Sequence, residues 1–356
     1  MIKSLSPNYI TIPWISPLTG EVSSAYKLQI FIWDGLKASV PIAPYYEISK
    51  SNLTTSSGND KINIARLVND FVDFRPASML LTGLYDASNQ RWVKTQVIYN
   101  TANIFDYNVP QLPLVQLMVK GYAYGMDGEN TGAPTNRILL SGDEFKINRT
   151  GMFNLPILAD EVSTYPVTVI SYPDNILNFS GTISASTASS ELIQNIFVNA
   201  GQASTDSIIE ILFNGITTTL LINDECRYTP IDIAFQNKEG GVQIVTFFKS
   251  KTESLSTSNE EYEGEQGQPL SGYHQFIKYN VQGRSKFKVN SGFVKEELNE
   301  TFRQLFLSER VWQLQDDVYI PLNVASKSLE YKSRQKDRLI NYEVEFDYAF
   351  NEINNI

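Results

Sequence analysis

One cysteine and one histidine are all that this chain of 356 residues contains. Cys226 has no second thiol with which to form an intramolecular disulfide, and it builds no cysteine-based zinc site. A chain so poor in cysteine is expected to fold in a reducing cytoplasm. His274 would have to serve any Ser-His-Asp or Cys-His arrangement, and no G-x-S-x-G elbow presents a nucleophile beside it. Among its aromatic neighbours His274 reads as a structural or surface residue. Glycine loops of the nucleotide-binding kinds are missing too, and no cofactor is implied.

Long apolar runs are also absent. No stretch of about 18 apolar residues occurs, so no membrane span is expected. Pro7, Pro13 and Pro17 interrupt the N-terminal segment, which lacks the apolar centre of a signal peptide. Positive charge is in deficit, with 29 Lys and Arg against 39 Asp and Glu and a formal net charge of −10. That balance disfavours binding to nucleic-acid backbones, so no nucleic-acid partner is expected.

What the chain has in quantity is strand-forming residues, with 19 Tyr and 19 Phe among many Val, Ile and Thr. Short runs bounded by Asn, Gly, Asp and Pro predict a mainly β protein. The expected fold is a row of tandem β-sandwich-like domains with a few short helices. Residues 1–108 form the first expected domain, 109–223 a middle β-rich domain and 224–356 a C-terminal β domain.

In the first, Tyr26, Leu28, Ile30 and Ile32 alternate with polar residues before an Asp34-Gly35 turn. KINIARLVNDFVDF predicts a short strand running into a short helix. Residues 77–85 and 91–99 predict a hairpin. In the middle domain PVTVISYP, NFSGTISAS and SIIEILFNGITTTLLI predict strands, whereas the spacing of Leu192, Ile193, Ile196 and Phe197 predicts a helix.

In the C-terminal domain IDIAFQNKEGGVQIVTFF predicts two strands around a glycine turn. Residues 293–308 predict an amphipathic helix with Leu298, Phe302, Leu305 and Phe306 on one face. Residues 327–350 predict a closing hairpin, in which Leu329 faces Tyr342 and Tyr331 faces Ile340. Ile340, Tyr342, Val344, Phe346, Tyr348 and Phe350 fall on one face of its last strand. The part beyond Val344 has no expected partner within the chain and is free to pair with a neighbour.

Candidate chemistry is sparse. Asp127 to Gly132 resembles the start of a calcium loop, but the twelfth position is Ile138 where a bidentate Glu is required, so a turn is expected. Asp316-Asp317 reads as a turn rather than a catalytic carboxylate pair. The four tryptophans sit in apolar runs and are expected in cores or interfaces. The glutamate-rich stretch from Glu253 to Gln268, with Glu260, Glu261 and Glu263 around Tyr262, reads as an exposed loop or edge strand, or more sharply as a contact arm ordered by a neighbouring subunit. The candidate interface residues are therefore Glu260, Glu261, Tyr262, Glu263, Phe346, Tyr348 and Phe350.

Three C-terminal stretches, DECRYTPIDIAFQNKEGGVQIVTFFK, NSGFVKEELNETFRQLFLSERVW and IPLNVASKSLEYKSRQKDRLINYEVEFDYAF, together with KLQIFIWDG…INIARLVNDFVDF near the N-terminus, resemble structural tail or baseplate proteins of phages that infect Bacteroidetes, including the crAss-like group. The resemblance covers about the first hundred residues and residues 224–350. It implies a non-enzymatic virion component made in the host cytoplasm, assembled as a ring of identical chains and docked to other tail proteins. A carbohydrate- or receptor-binding module of a tail fibre is the alternative, and a hydrolase with carboxylates on distant loops is a third.

Overall fold

Alternation of apolar and polar side chains builds most of the architecture. The computed structural model describes residues 2–14, 22–51, 58–72, 81–86, 91–101, 104–109, 115–127, 134, 136–160, 164–183, 191–203, 207–225, 227–264, 272, 274–316, 318–329 and 339–353. Within them the protein is mainly β and sandwich-like, with several sheets and two short α-helices.

Ala25–Trp33 forms the strand its alternation predicts, and Gly35 turns the chain at φ +82°. Its sheet runs in the order Ile2–Lys3, Gln116–Val119, Arg91–Thr101, Ala25–Trp33, Tyr46–Ser51, with Ile104–Val109 also paired to Arg91–Thr101. Tyr26, Leu28, Ile30 and Ile32 are buried on one face. The antiparallel pair Tyr9–Pro13 and Asn59–Asn63 covers that face together with the helix Ala65–Asn69.

The middle of the chain closes a sandwich. One wall has five strands, in the order Glu144–Ile147, Ile216–Ile222, Ile208–Phe213, Tyr165–Tyr172, Ile176–Ile183. The other has three, Met152–Asp160, Glu191–Asn199 and Gly83–Asp86. Phe153, Leu155, Ile157 and Ile196 from the smaller wall meet Val167, Val169, Ile211 and Phe213 from the larger. Asn214 and Gly215, at φ 47° and 76°, make the two-residue turn between Ile208–Phe213 and Ile216–Ile222.

The C-terminal part is a seven-stranded sheet in the order Val242–Phe247, Ile231–Gln236, Val311–Gln315, Val318–Val324, Glu343–Tyr348, Phe276–Asn290, Thr252–Glu263. Phe302 and Leu305 of the helix Asn299–Leu307 press onto its core beside Phe235, Phe247, Val344 and Phe346. The helix is shorter than expected. Val294–Lys295 pairs as a strand with Leu339–Ile340, and a 3-10 turn at Glu296–Leu298 precedes the first α-helical residue.

The three-stranded wall is shared. Its inner face belongs to the sandwich core, while Leu158 and Ile193 on its other face join Phe31, Trp33, Trp92 and Leu117 of the first sheet. On that other face Phe197 also meets Ala234, Val242, Ile244 and Trp312 of the C-terminal sheet. A buried amide secures this contact, with Asn154 Nδ2 donating to the Val242 carbonyl at 2.9 Å.

Several expectations need correction. Residues 191–199 form a strand, not a helix, because the shared wall is covered on both faces. A strand buried on both sides reads as a continuous apolar run, which a helix pattern also fits. Gly83–Asp86 does not pair with Arg91–Thr101; it crosses to Glu191–Asn199, while Gln116–Val119 joins the first sheet, so strands cross the boundary placed at 108. The closing hairpin is not formed as expected either. Glu343–Tyr348 pairs with Lys286–Asn290 on one side and Leu322–Val324 on the other. Leu329 lies outside the strands, and Tyr331 outside the described residues.

Candidate assembly surface

The longest hairpin of the C-terminal sheet extends beyond it. Thr252–Glu263 and Phe276–Asn290 have 12 and 15 residues and pair along their length. Among the described residues only Lys286–Asn290 has a further strand beside it, so the remainder stands out as a two-stranded arm. Every residue of Thr252–Glu263 is exposed, as are the first six of Phe276–Asn290.

The arm is not polar throughout. Leu255 (58%), Tyr262 (50%), Phe276 (61%) and Tyr279 (46%) hold large apolar surfaces in water, with Ile277 and Val281 between them. Tyr262 stands opposite Ile277 and Glu260 opposite Tyr279, so these four share one face. The Tyr262 and Tyr279 rings meet edge to face at 5.7 Å. On the other face Glu261 pairs with Lys278 at 3.5 Å. Hydrogen bonds from Tyr279 and Asn280 hold the Glu260 carboxyl below its usual range, and the same contact raises the Tyr279 phenol. The register shifts between Ser258 and Glu260, opposite Asn280 at φ 48°; such irregularities bend and twist a ribbon.

The C-terminal end of the chain braces the base of the arm. The Glu352 amide donates to the Gly283 carbonyl at 2.7 Å, and the Ser285 hydroxyl donates to the Glu352 carboxylate. Thus Glu260, Glu261, Tyr262 and Glu263 come together near the arm's outer end, at the edge of the sheet.

Phe346, Tyr348 and Phe350 do not join them. Phe346 is fully buried between Phe247 and Phe287, and its strand has partners on both edges. The expectation that the chain beyond Val344 is free to pair with a neighbour is therefore overturned for residues up to Tyr348. Tyr348 is half-buried with its hydroxyl at 3.3 Å from Gln313, and of the three only Phe350 is exposed. Sequence reasoning missed Phe276, Ile277, Tyr279 and Val281. Their signal was the aromatic run beside His274, which was read for histidine chemistry alone.

The other candidates place simply. All four tryptophans are buried. Asp316, at φ 48°, lies in the turn between Val311–Gln315 and Val318–Val324, while Asp317, Cys226 and residues 128–132 lie outside the described residues. Among the described residues no helix is long and apolar enough to cross a membrane.

An isolated two-stranded ribbon is marginal in water, and this one exposes apolar side chains along with the edge of Thr252–Glu263, which has no strand partner among the described residues. Chemically the arm can add a strand from another chain along that edge and cover the apolar row at the same time. Compared with known proteins, the chain matches no family model and no curated protein.

Proposed function

We propose that this is a non-enzymatic virion structural protein, a phage tail or baseplate component that assembles into a ring of identical chains and docks neighbouring tail proteins. The arm carries the reading, because it projects strand edge and apolar surface where a second chain can cover both. Ring assembly uses heterologous contacts, one surface of each chain against a different surface of the next, and a projecting arm suits that geometry. The resemblance of the flanking segments to tail proteins supplies the phage context.

The test compares the full chain with one lacking residues 259–281, in which Ser258 is joined to Gln282 through Asn-Gly. Mass photometry and electron microscopy should show rings for the full chain and monomers of unchanged melting temperature for the shortened one. A full chain that stays monomeric and binds no virion protein overturns the proposal.

A second reading, a glycan-binding module, rests on the exposed rings of Tyr262, Phe276 and Tyr279. The tilt of 64° between the two tyrosine rings leaves no shared flat platform for a sugar. A glycan array with no hits removes it.

A further inference from the structure

Between the middle segment and the C-terminal sheet lies a cleft of about 680 Å³. Thr150 and Met152 stand on one side, and Tyr228, Asp232 and Asp316 on the other, with Lys251 at the wall. This volume is in the range of small-molecule sites, roughly 300–1,000 Å³.

Asp232 is the unusual group. It sits on Ile231–Gln236, opposite Thr246 of the neighbouring strand. Its carboxylate accepts the Thr246 hydroxyl at 2.5 Å and the backbone N–H of Met152 from across the cleft. Those bonds satisfy oxygen atoms without supplying countercharge. Lys251 is paired with Glu253 at 2.5 Å and lies over the Phe287 ring. Arg149, next to the wall, is held by both oxygens of Asp224 at 2.8 and 2.7 Å. Arg227 stacks on Tyr228. Asp316 has the same sign as Asp232. Among the described residues, then, no cation forms an ion pair with Asp232. Burial pushes its carboxyl up to about 6, so at neutral pH it is still mostly ionised.

A partly buried carboxylate that has hydrogen bonds but no countercharge lowers stability, and a cation bound in the cleft would supply that charge. We propose that this cleft binds a small organic cation, an alkylguanidinium or alkylammonium, with Asp232 as its counter-ion. Gln313 and Gln315 line the same wall; their amide oxygens accept from the Tyr348 hydroxyl and the Gln313 amide respectively, and each keeps a second lone pair for the cation's remaining N–H groups, while Asp316 adds a second negative charge to the lining.

Agmatine is a suitable probe, with glucose as an uncharged control of comparable size. Calorimetry on the whole protein at pH 7.5 should find one agmatine site and no glucose site. Asp232→Asn keeps a side-chain oxygen for Thr246 and Met152 but removes the charge, and should weaken agmatine at least tenfold. Lowering the pH of the parent protein to 5 protonates Asp232 and should weaken binding by about tenfold. A melting temperature for Asp232→Asn at or above the parent's establishes that the fold is intact; if that variant does not fold, the pH series on the parent decides. Absence of agmatine binding, equal binding of glucose, or affinity unmoved by Asp232→Asn or by pH overturns the proposal. None of these outcomes depends on ring assembly.

Discussion

A Cβ built on Gly121 would stand 2.6 Å from the carbonyl oxygen of Lys238, the same oxygen that accepts the Tyr122 N–H at 2.8 Å. The Asn237–Gly241 turn, expected only to reverse a hairpin, is therefore a junction. Asn237 Nδ2 donates to the Leu139 carbonyl at 2.6 Å, and a Cβ on Gly241 would meet Pro156 at 2.5 Å. Gly240, at φ +84°, lies against Val119. First sheet, sandwich and C-terminal sheet all touch this one turn.

Gly121→Ala should consequently destabilise by about 1–3 kcal/mol, since backbone rather than a flexible side chain must move. Gly125→Ala, with open space around its Cβ, should change stability by less than about 0.5 kcal/mol. Urea denaturation of both variants checks the contrast.

Lys3 and Glu239 form an ion pair at 2.7 Å with side chains only 3% and 12% exposed. Lys3→Met leaves Glu239 with Lys238, at 3.9 Å, as its remaining cation and should cost up to about 3–5 kcal/mol. The double variant Lys3→Met/Glu239→Gln should recover most of that loss. Equal losses in the single and double variants would show that the pair contributes through packing instead.

Asp232 predicts an inverted pH dependence. Its folded pKa is raised to about 6 from an ordinary value of 3.8, so between those values the folded protein holds more protons than the unfolded chain. The contribution of this group to stability is then greatest at low pH and is lost as pH rises from about 4 to 6, by about 3 kcal/mol in total. Asp232→Asn should remove that slope and raise stability at pH 7. Chemical denaturation of parent and variant at pH 4, 5, 6 and 7 measures the difference directly.

Phe346 and Phe350 lie on one strand pattern and should behave oppositely. Phe346→Ala empties a site that is fully buried and should cost about 3–5 kcal/mol. Phe350 is 47% exposed, and Phe350→Ala should cost less than about 1 kcal/mol. Equal melting temperatures would contradict the assignment of Phe346 to the core.

Elements with one wet face were legible in the sequence. Tyr26 to Ile32 and the strand character of SIIEILFNGITTTLLI were readable from the residues themselves, whereas the turn through Asn214-Gly215 that joins its two strands came from the structure. The pattern from Ile340 to Phe346 also gave the buried face correctly. Partner choice was not legible, because local register names the nearest strand in sequence. Glu343–Tyr348 instead sits between two strands supplied from farther back in the chain. Glu191–Asn199 was misread for a related reason, since burial on both faces erases the alternation that marks a strand. At the candidate surface the glutamates of the arm were visible as composition. The apolar side chains beside them became meaningful only when the register placed Tyr262 against Ile277.

The shared three-stranded wall makes the three regions interdependent. A polypeptide cut at residue 108 would separate Gly83–Asp86 from the strand that it joins. A cut at 223 would strip Phe197 of Ala234 and Trp312. Such fragments should be insoluble or molten, and the intact chain should unfold in a single calorimetric transition despite a length that would accommodate independent modules.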